Sequence, residues 1–108
     1  MDKTTLTNMA SQAFANMTEA RQQLFAQTEN AITAKAELEN AKYQALIGGV
    51  IDGKNAEIRE AQLKQHLQAE YAKLELAEKA ERGARHGFEM ASIEVDTVKT
   101  LLRIAELQ

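Results

Sequence analysis

The 108-residue chain contains no proline, no cysteine and no tryptophan. Without proline the strongest helix breaker is missing from end to end, so long uninterrupted helices are permitted. Without cysteine, disulfide scaffolds and thiolate metal sites are excluded, and the composition suits a reducing compartment. No apolar run is long enough to span a bilayer, and Met1-Asp2-Lys3-Thr4-Thr5 does not open a basic, then apolar, export leader. The expected location is the cytosol, with no membrane role. A dominant charge of one sign is also missing. The net charge is −3 with acidic and basic residues interspersed, which disfavours a broad basic face for a phosphate backbone. Glycine is scarce as well: three of the five fall in Gly48-Gly49-Val50-Ile51-Asp52-Gly53-Lys54-Asn55.

What is present is Ala, Glu, Gln, Lys and Leu, the composition of long helix or coiled coil, with strand formers scattered singly. The length allows one domain at most. The glycine cluster reads as the hinge of an all-α, antiparallel two-helix hairpin: arm one over about 4–47, the hinge at 48–55, arm two over about 55–107. A hairpin has no interior beyond the seam between its arms, so association into a larger bundle is expected.

Arm one, capped by Thr4 or Thr7, carries two heptad columns. Ala10, Met17, Leu24, Ala31, Leu38 and Ala45 are all apolar, and Leu6, Ala13, Ala20, Gln27, Ala34 and Ala41 are apolar except at Gln27. Phe14, Phe25, Ile32 and Leu46 flank this seam and are expected to widen the packed stripe. Arm two repeats the pattern in Glu60, Leu67, Leu74, Glu81, Phe88, Val95, Leu102 and in Leu63, Glu70, Ala77, Ala84, Ala91, Val98, Ala105. A hinge centred near Ile51 makes facing residue numbers sum to about 102, since the two arms leave the turn in step. That register pairs Arg21 with Glu81 and Lys42 with Glu60, places Phe14 by Phe88 and Met17 near Ala84, and leaves about ten residues after Val98 overhanging the first arm. Glu60→Lys64, Glu75→Lys79, Glu78→Arg82 and Glu81→Arg85 are spaced for ion pairs along a solvated helix face.

Gly83 and Gly87 interrupt the second arm at a cost of about 1 kcal/mol each relative to alanine. With Ala80, Ala84 and Ala91 they form a small-residue strip that suits close approach of another helix; a local bend is the alternative. Met90, Ile93, Leu101, Ile104 and Leu107 are apolar but lie off the seam, and exposed apolar surface of that extent marks an interface. The candidate binding surface is therefore Gly83, Gly87, Met90, Ile93, Leu101, Ile104 and Leu107, and the expected partner is a second copy, with another protein the alternative. Arg82, Arg85, His86, Lys99 and Arg103 form a smaller basic group. A charged rim is its simpler reading and contact with nucleic acid, through Arg82, Arg85, Lys99 and Arg103, the competing one.

Catalytic readings fare poorly. The hinge matches GxxxxGK of a phosphate-binding loop, but Asn55 stands where a hydroxyl should bind Mg²⁺, and no buried strand precedes it. A glycine C-cap after Ile47, a turn at Asp52-Gly53 and an Asn55 N-cap explain the same residues. His66 and Glu70 have metal-ligand spacing, yet His86 is the other histidine and no Glu-x-x-His pair exists. Ser11 and Ser92 sit in helical patterns without a strained elbow. No cofactor, metal or catalytic residue is expected.

The stretch VIDGKNAEIREAQL, followed by a long arm ending ARHGFEMASIEVDTVKTLLRIAEL, resembles small coiled-coil proteins of phage and prophage gene sets. That resemblance covers the last 60 residues or so and implies an accessory or structural role. Two helices around a Gly-containing turn, with Tyr71-x-x-x-Glu75, also resemble the WXG-type helical hairpin effectors. The chain departs from that pattern in having no tryptophan and in placing Tyr71 mid-arm.

Overall fold

The structure is a computed structural model and describes residues 2–107. Three helices account for nearly all of it: α1 (Lys3–Ile47), α2 (Ala56–His66) and α3 (Gln68–Glu106). No strand occurs among the described residues. The two long helices, α1 and α3, pack against each other, and the chain divides into two compact units, residues 27–80 and residues 1–26 with 81–108.

The seams lie where the heptads put them. All twelve seam positions of α1 are buried or half-buried, and so are thirteen of the fourteen in the second arm; Glu60 is exposed. One correction concerns the helix start. Asp2, rather than Thr4 or Thr7, caps α1 by accepting the Thr5 N–H at 2.7 Å, while Thr7 hydrogen-bonds back to the Lys3 carbonyl. The Thr5 amide and hydroxyl hold the Asp2 carboxyl below its usual value near 3.8.

In the unit of residues 27–80, Leu38, Ala45, Ile51, Leu63 and Leu67 form the core, with Ala41, Tyr71 and Leu74 against it. The hinge is a Schellman cap: Val50 N–H reaches Ala45 O and Gly49 N–H reaches Leu46 O. Gly49 occupies the left-handed position at φ 74°, where an L side chain is strained. Beyond it the chain lies along α2. Gly53 N–H donates to Gln62 Oε1, Arg59 donates to Gly53 O, and Gln62 Nε2 donates to Asp52 Oδ1. Asn55 then caps α2 by accepting the Ile58 N–H at 2.9 Å.

That lay of the hinge corrects the register. Because Ile51–Gly53 run beside the first turns of α2, the second helix starts later than a symmetric turn would place it. Glu37 meets Lys73 at 2.7 Å, and Lys42 sits over Tyr71, 5.3 Å from the ring centroid. Facing numbers therefore sum to about 110 rather than 102. Lys42 turns to Glu39 and not to Glu60. Burial works against its charge, but Tyr71 and Glu39 outweigh it and hold the ammonium above the usual lysine value. The contact is with the ring, since Tyr71 Oη is buried without a hydrogen-bond partner.

A second difference is the break between α2 and α3 at Leu67, where a continuous arm was expected. Leu67 has φ −112° and ψ 36°, while Leu67 N–H to Leu63 O and Tyr71 N–H to Leu67 O persist on either side. Nothing in the neighbouring sequence explains it.

In the other unit, Ala13, Val95 and Val98 form the core, with Met9, Ala10, Met17 and Leu102 packed on it. Met17 meets Ser92, whose hydroxyl lies 3.8 Å from the sulfur, and Lys99 lies 5.6 Å from the centre of the Phe14 ring. The same shift in register applies, so Phe14 meets Lys99 rather than Phe88, and Leu102 packs on the same core as Met9 and Ala10 instead of overhanging. Glu81 pairs with Arg85 on its own helix at 3.7 Å, and not with Arg21.

Candidate functional site

The flank of α1 expected to join the packed stripe does not. Phe25 is 69% exposed, and Phe14, Ile32 and Leu46 are exposed too, because an alanine-rich seam brings the helices together along a narrow strip that off-seam side chains cannot reach.

On α3 the off-seam residues form a surface of their own. Gly83, Gly87, Met90, Glu94, Thr97, Leu101 and Ile104 recur at alternating spacings of four and three. At 100° per residue they occupy a band about 100° wide, a second heptad stripe rotated away from the first. Every one of them is exposed. Met90 is 51% exposed and Ile104 49%, although each sits among ordered helical turns. Ile93 borders the stripe, and Leu107 lies just past the end of α3, 84% exposed. A Cβ added at Gly83 or Gly87 would meet nothing within 4 Å. The two glycines thus have no neighbour beside them within the chain, whereas Ala84 and Ala91 of the expected strip lie in the packed seam, and α3 runs through both glycines unbroken.

The polar members of the surface are already engaged in part. Thr97 Oγ1 donates to Ile93 O at 2.9 Å and Thr100 Oγ1 to Asp96 O at 3.0 Å. Burying Thr97 would then strand no donor and expose its methyl to a partner. Glu94 is the one charge inside the stripe. The stripe's spacing is legible in the sequence, but Glu94 and Thr97 carry no strongly apolar side chain that would mark them as members of it.

Arg82, Arg85, Lys99 and Arg103 recur at heptad-compatible spacings on another face of α3, with Glu89 and Asp96 between them. Arg85 is paired with Glu81 and Lys99 is drawn over Phe14. The surface is of mixed sign.

The phosphate-loop match resolves into helix termini. Within the matched stretch the amides of Gly49, Val50 and Gly53 are bonded inside the hinge and to its flanking helices, and the Asn55 side chain is engaged in capping α2. His66 borders a shallow depression with Val50, Ile51, Gln62 and Gln65, and among the described residues no group of three or more His, Asp or Glu is arranged to hold a metal. No helix among the described residues is long and apolar enough to cross a membrane.

Comparison with known proteins finds no match: no protein-family model, no curated protein sequence and no solved structure matches this chain. The functional reading therefore rests on the chain's own surface.

Proposed function

We propose that the chain is a non-enzymatic oligomerisation and protein-interaction module: an antiparallel helical hairpin that associates into a bundle through the outer face of α3. One observation carries the reading. Met90, Ile93, Leu101 and Ile104 stand exposed on the same stretch of α3 as two glycines with open space above them. Apolar surface of that kind, laid out as a second heptad stripe, marks a helix that packs on more than one side. The antiparallel arrangement is supported by the pairing of early α1 with late α3, as in Met17 with Ser92, and of late α1 with early α3, as in Glu37 with Lys73. The resemblance to phage-encoded coiled coils makes an accessory or structural role in a phage-derived gene set part of the proposal.

The test is solution mass by light scattering. Leu101→Glu with Ile104→Glu places two carboxylates on the stripe without touching either core cluster. The wild type should be an oligomer and the double variant a monomer that keeps its helical circular dichroism. A folded variant of unchanged mass refutes the surface.

A further inference from the structure

We infer that the occupant of the α3 stripe is the α3 of a second copy, lying antiparallel across a two-fold axis at Glu94. This rests on the oligomerisation reading and specifies its partner and geometry.

Area argues for a large partner surface. The chain exposes 7895 Å², against about 6,000 Å² expected of a folded 12.0 kDa monomer. The excess of about 1,900 Å² per copy exceeds the roughly 800 Å² that each partner contributes to a standard interface. A second copy supplies the same excess and the same need to bury it.

Shape argues for the orientation. The stripe is graded: its N-terminal end holds Gly83 and Gly87, its C-terminal end Leu101 and Ile104. Pairing two stripes in parallel sets large side chains against large and leaves the glycines facing a void. Reversing one copy sets Gly83 against Ile104, Gly87 against Leu101 and Met90 against Thr97 of the other. Each large side chain then enters space that the glycines leave open, as knobs require holes. The symmetry is isologous, so every contact occurs twice. Ile93 meets its own counterpart beside the axis.

The same geometry brings Glu94 against Glu94. Like charges facing each other across an interface oppose association, so the pairing is weakened at its centre while its ends hold it. Removing that charge should strengthen the dimer, which a merely solvent-facing glutamate would not do.

Cysteine cross-linking reads the geometry directly, because the native chain has no cysteine. Under mild oxidation Glu94→Cys should link to itself, and Met90→Cys should not, its copies being offset by about 11 Å along the helices. A mixture of Gly83→Cys and Ile104→Cys chains should give mixed dimers, while Ile104→Cys alone should not link. Self-linking of Ile104→Cys, or of Met90→Cys in place of Glu94→Cys, overturns the orientation or the register. Glu94→Gln should tighten association about tenfold, measured as the dissociation constant by sedimentation; no tightening overturns the two-fold centre. A monomeric wild type would sink the oligomerisation reading itself. An oligomer that forms none of these links would sink only the α3 pairing, and would point to the exposed Phe25 and Ile32 of α1.

Discussion

Replacing Gly83 and Gly87 together by alanine should move two quantities in opposite directions. In a helix interior, glycine is less favourable than alanine by about 0.8–1.0 kcal/mol. Both positions lie inside α3, and an added Cβ meets nothing within 4 Å, so neither methyl should clash within one chain. The double variant should therefore gain about 2 kcal/mol of folding stability. For a domain of this size 1 kcal/mol corresponds to about 4–8 °C, so melting of the dilute, dissociated chain should rise by roughly 8–16 °C. In the paired state the same methyls fill the holes that receive Leu101 and Ile104 of the second copy. Overfilling a packed contact costs about 1–3 kcal/mol, and two-fold symmetry repeats each contact. Association should weaken by at least about tenfold. Circular dichroism melts over a hundredfold dilution series, with sedimentation at each concentration, separate the two effects. No rise in melting temperature at the lowest concentration would refute the openness of the glycines. A rise with association untouched would refute their place in the interface.

Leu38→Ala removes the most buried side chain of the hinge-end core, 2% exposed beside Leu63 and Leu67, and should cost about 2–5 kcal/mol in urea unfolding; a loss below about 1 kcal/mol would mean that this cluster does not hold the arms together. Gly53→Ala brings a Cβ to 2.7 Å from Ile58 Cγ2 and 3.0 Å from the Arg59 nitrogen. It should destabilise by about 1–3 kcal/mol, and an alanine variant of equal thermal stability would contradict the close approach. Asp2 is held below its usual value by Thr5, so its capping contribution is present above the unfolded value near 3.8 and disappears as pH falls through the lower folded value. The Thr5 amide resonance should shift over that acid window, and Asp2→Asn should abolish the shift; an identical titration in the variant would clear Asp2 of the role.

The seams were legible because period is what a heptad writes most plainly. Ala13 and Leu38 were placed on the packed side by their spacing alone, and both are buried. Glu60 failed because it precedes the region where the second arm meets the first, so its column position had nothing to face. Register was less legible. It depends on how the hinge residues are laid down in space, and the hydrogen bonds that Gln62 donates to Asp52 and accepts from Gly53 leave no periodic trace. Phe14 and Phe25 stand exposed for a related reason: apolar character says that a side chain favours burial, not that its own chain supplies the cover. Gly83 and Gly87 were noticed as a departure from helix preference, and that departure lies on the candidate surface, where a local rule broken without a gain inside the chain points outward.

The hinge is unevenly fastened. Asp52, Gly53 and Asn55 are tied to α2 by side-chain hydrogen bonds, whereas Gly48–Val50 are held to α1 by backbone bonds at the helix end alone. An arm that swung open would carry the loop from Asp52 onward with it as part of α2. The pivot would be confined to Gly48 and Gly49, residues whose backbones rotate at the least steric cost. Exchange of arms between two chains would thus require a change at two peptide units, with the cap of α2 travelling intact. The glycine pair is the natural fulcrum for trading helical arms between copies, and Gly49→Pro, unable to adopt a positive φ, is the substitution that would stiffen it into a different angle.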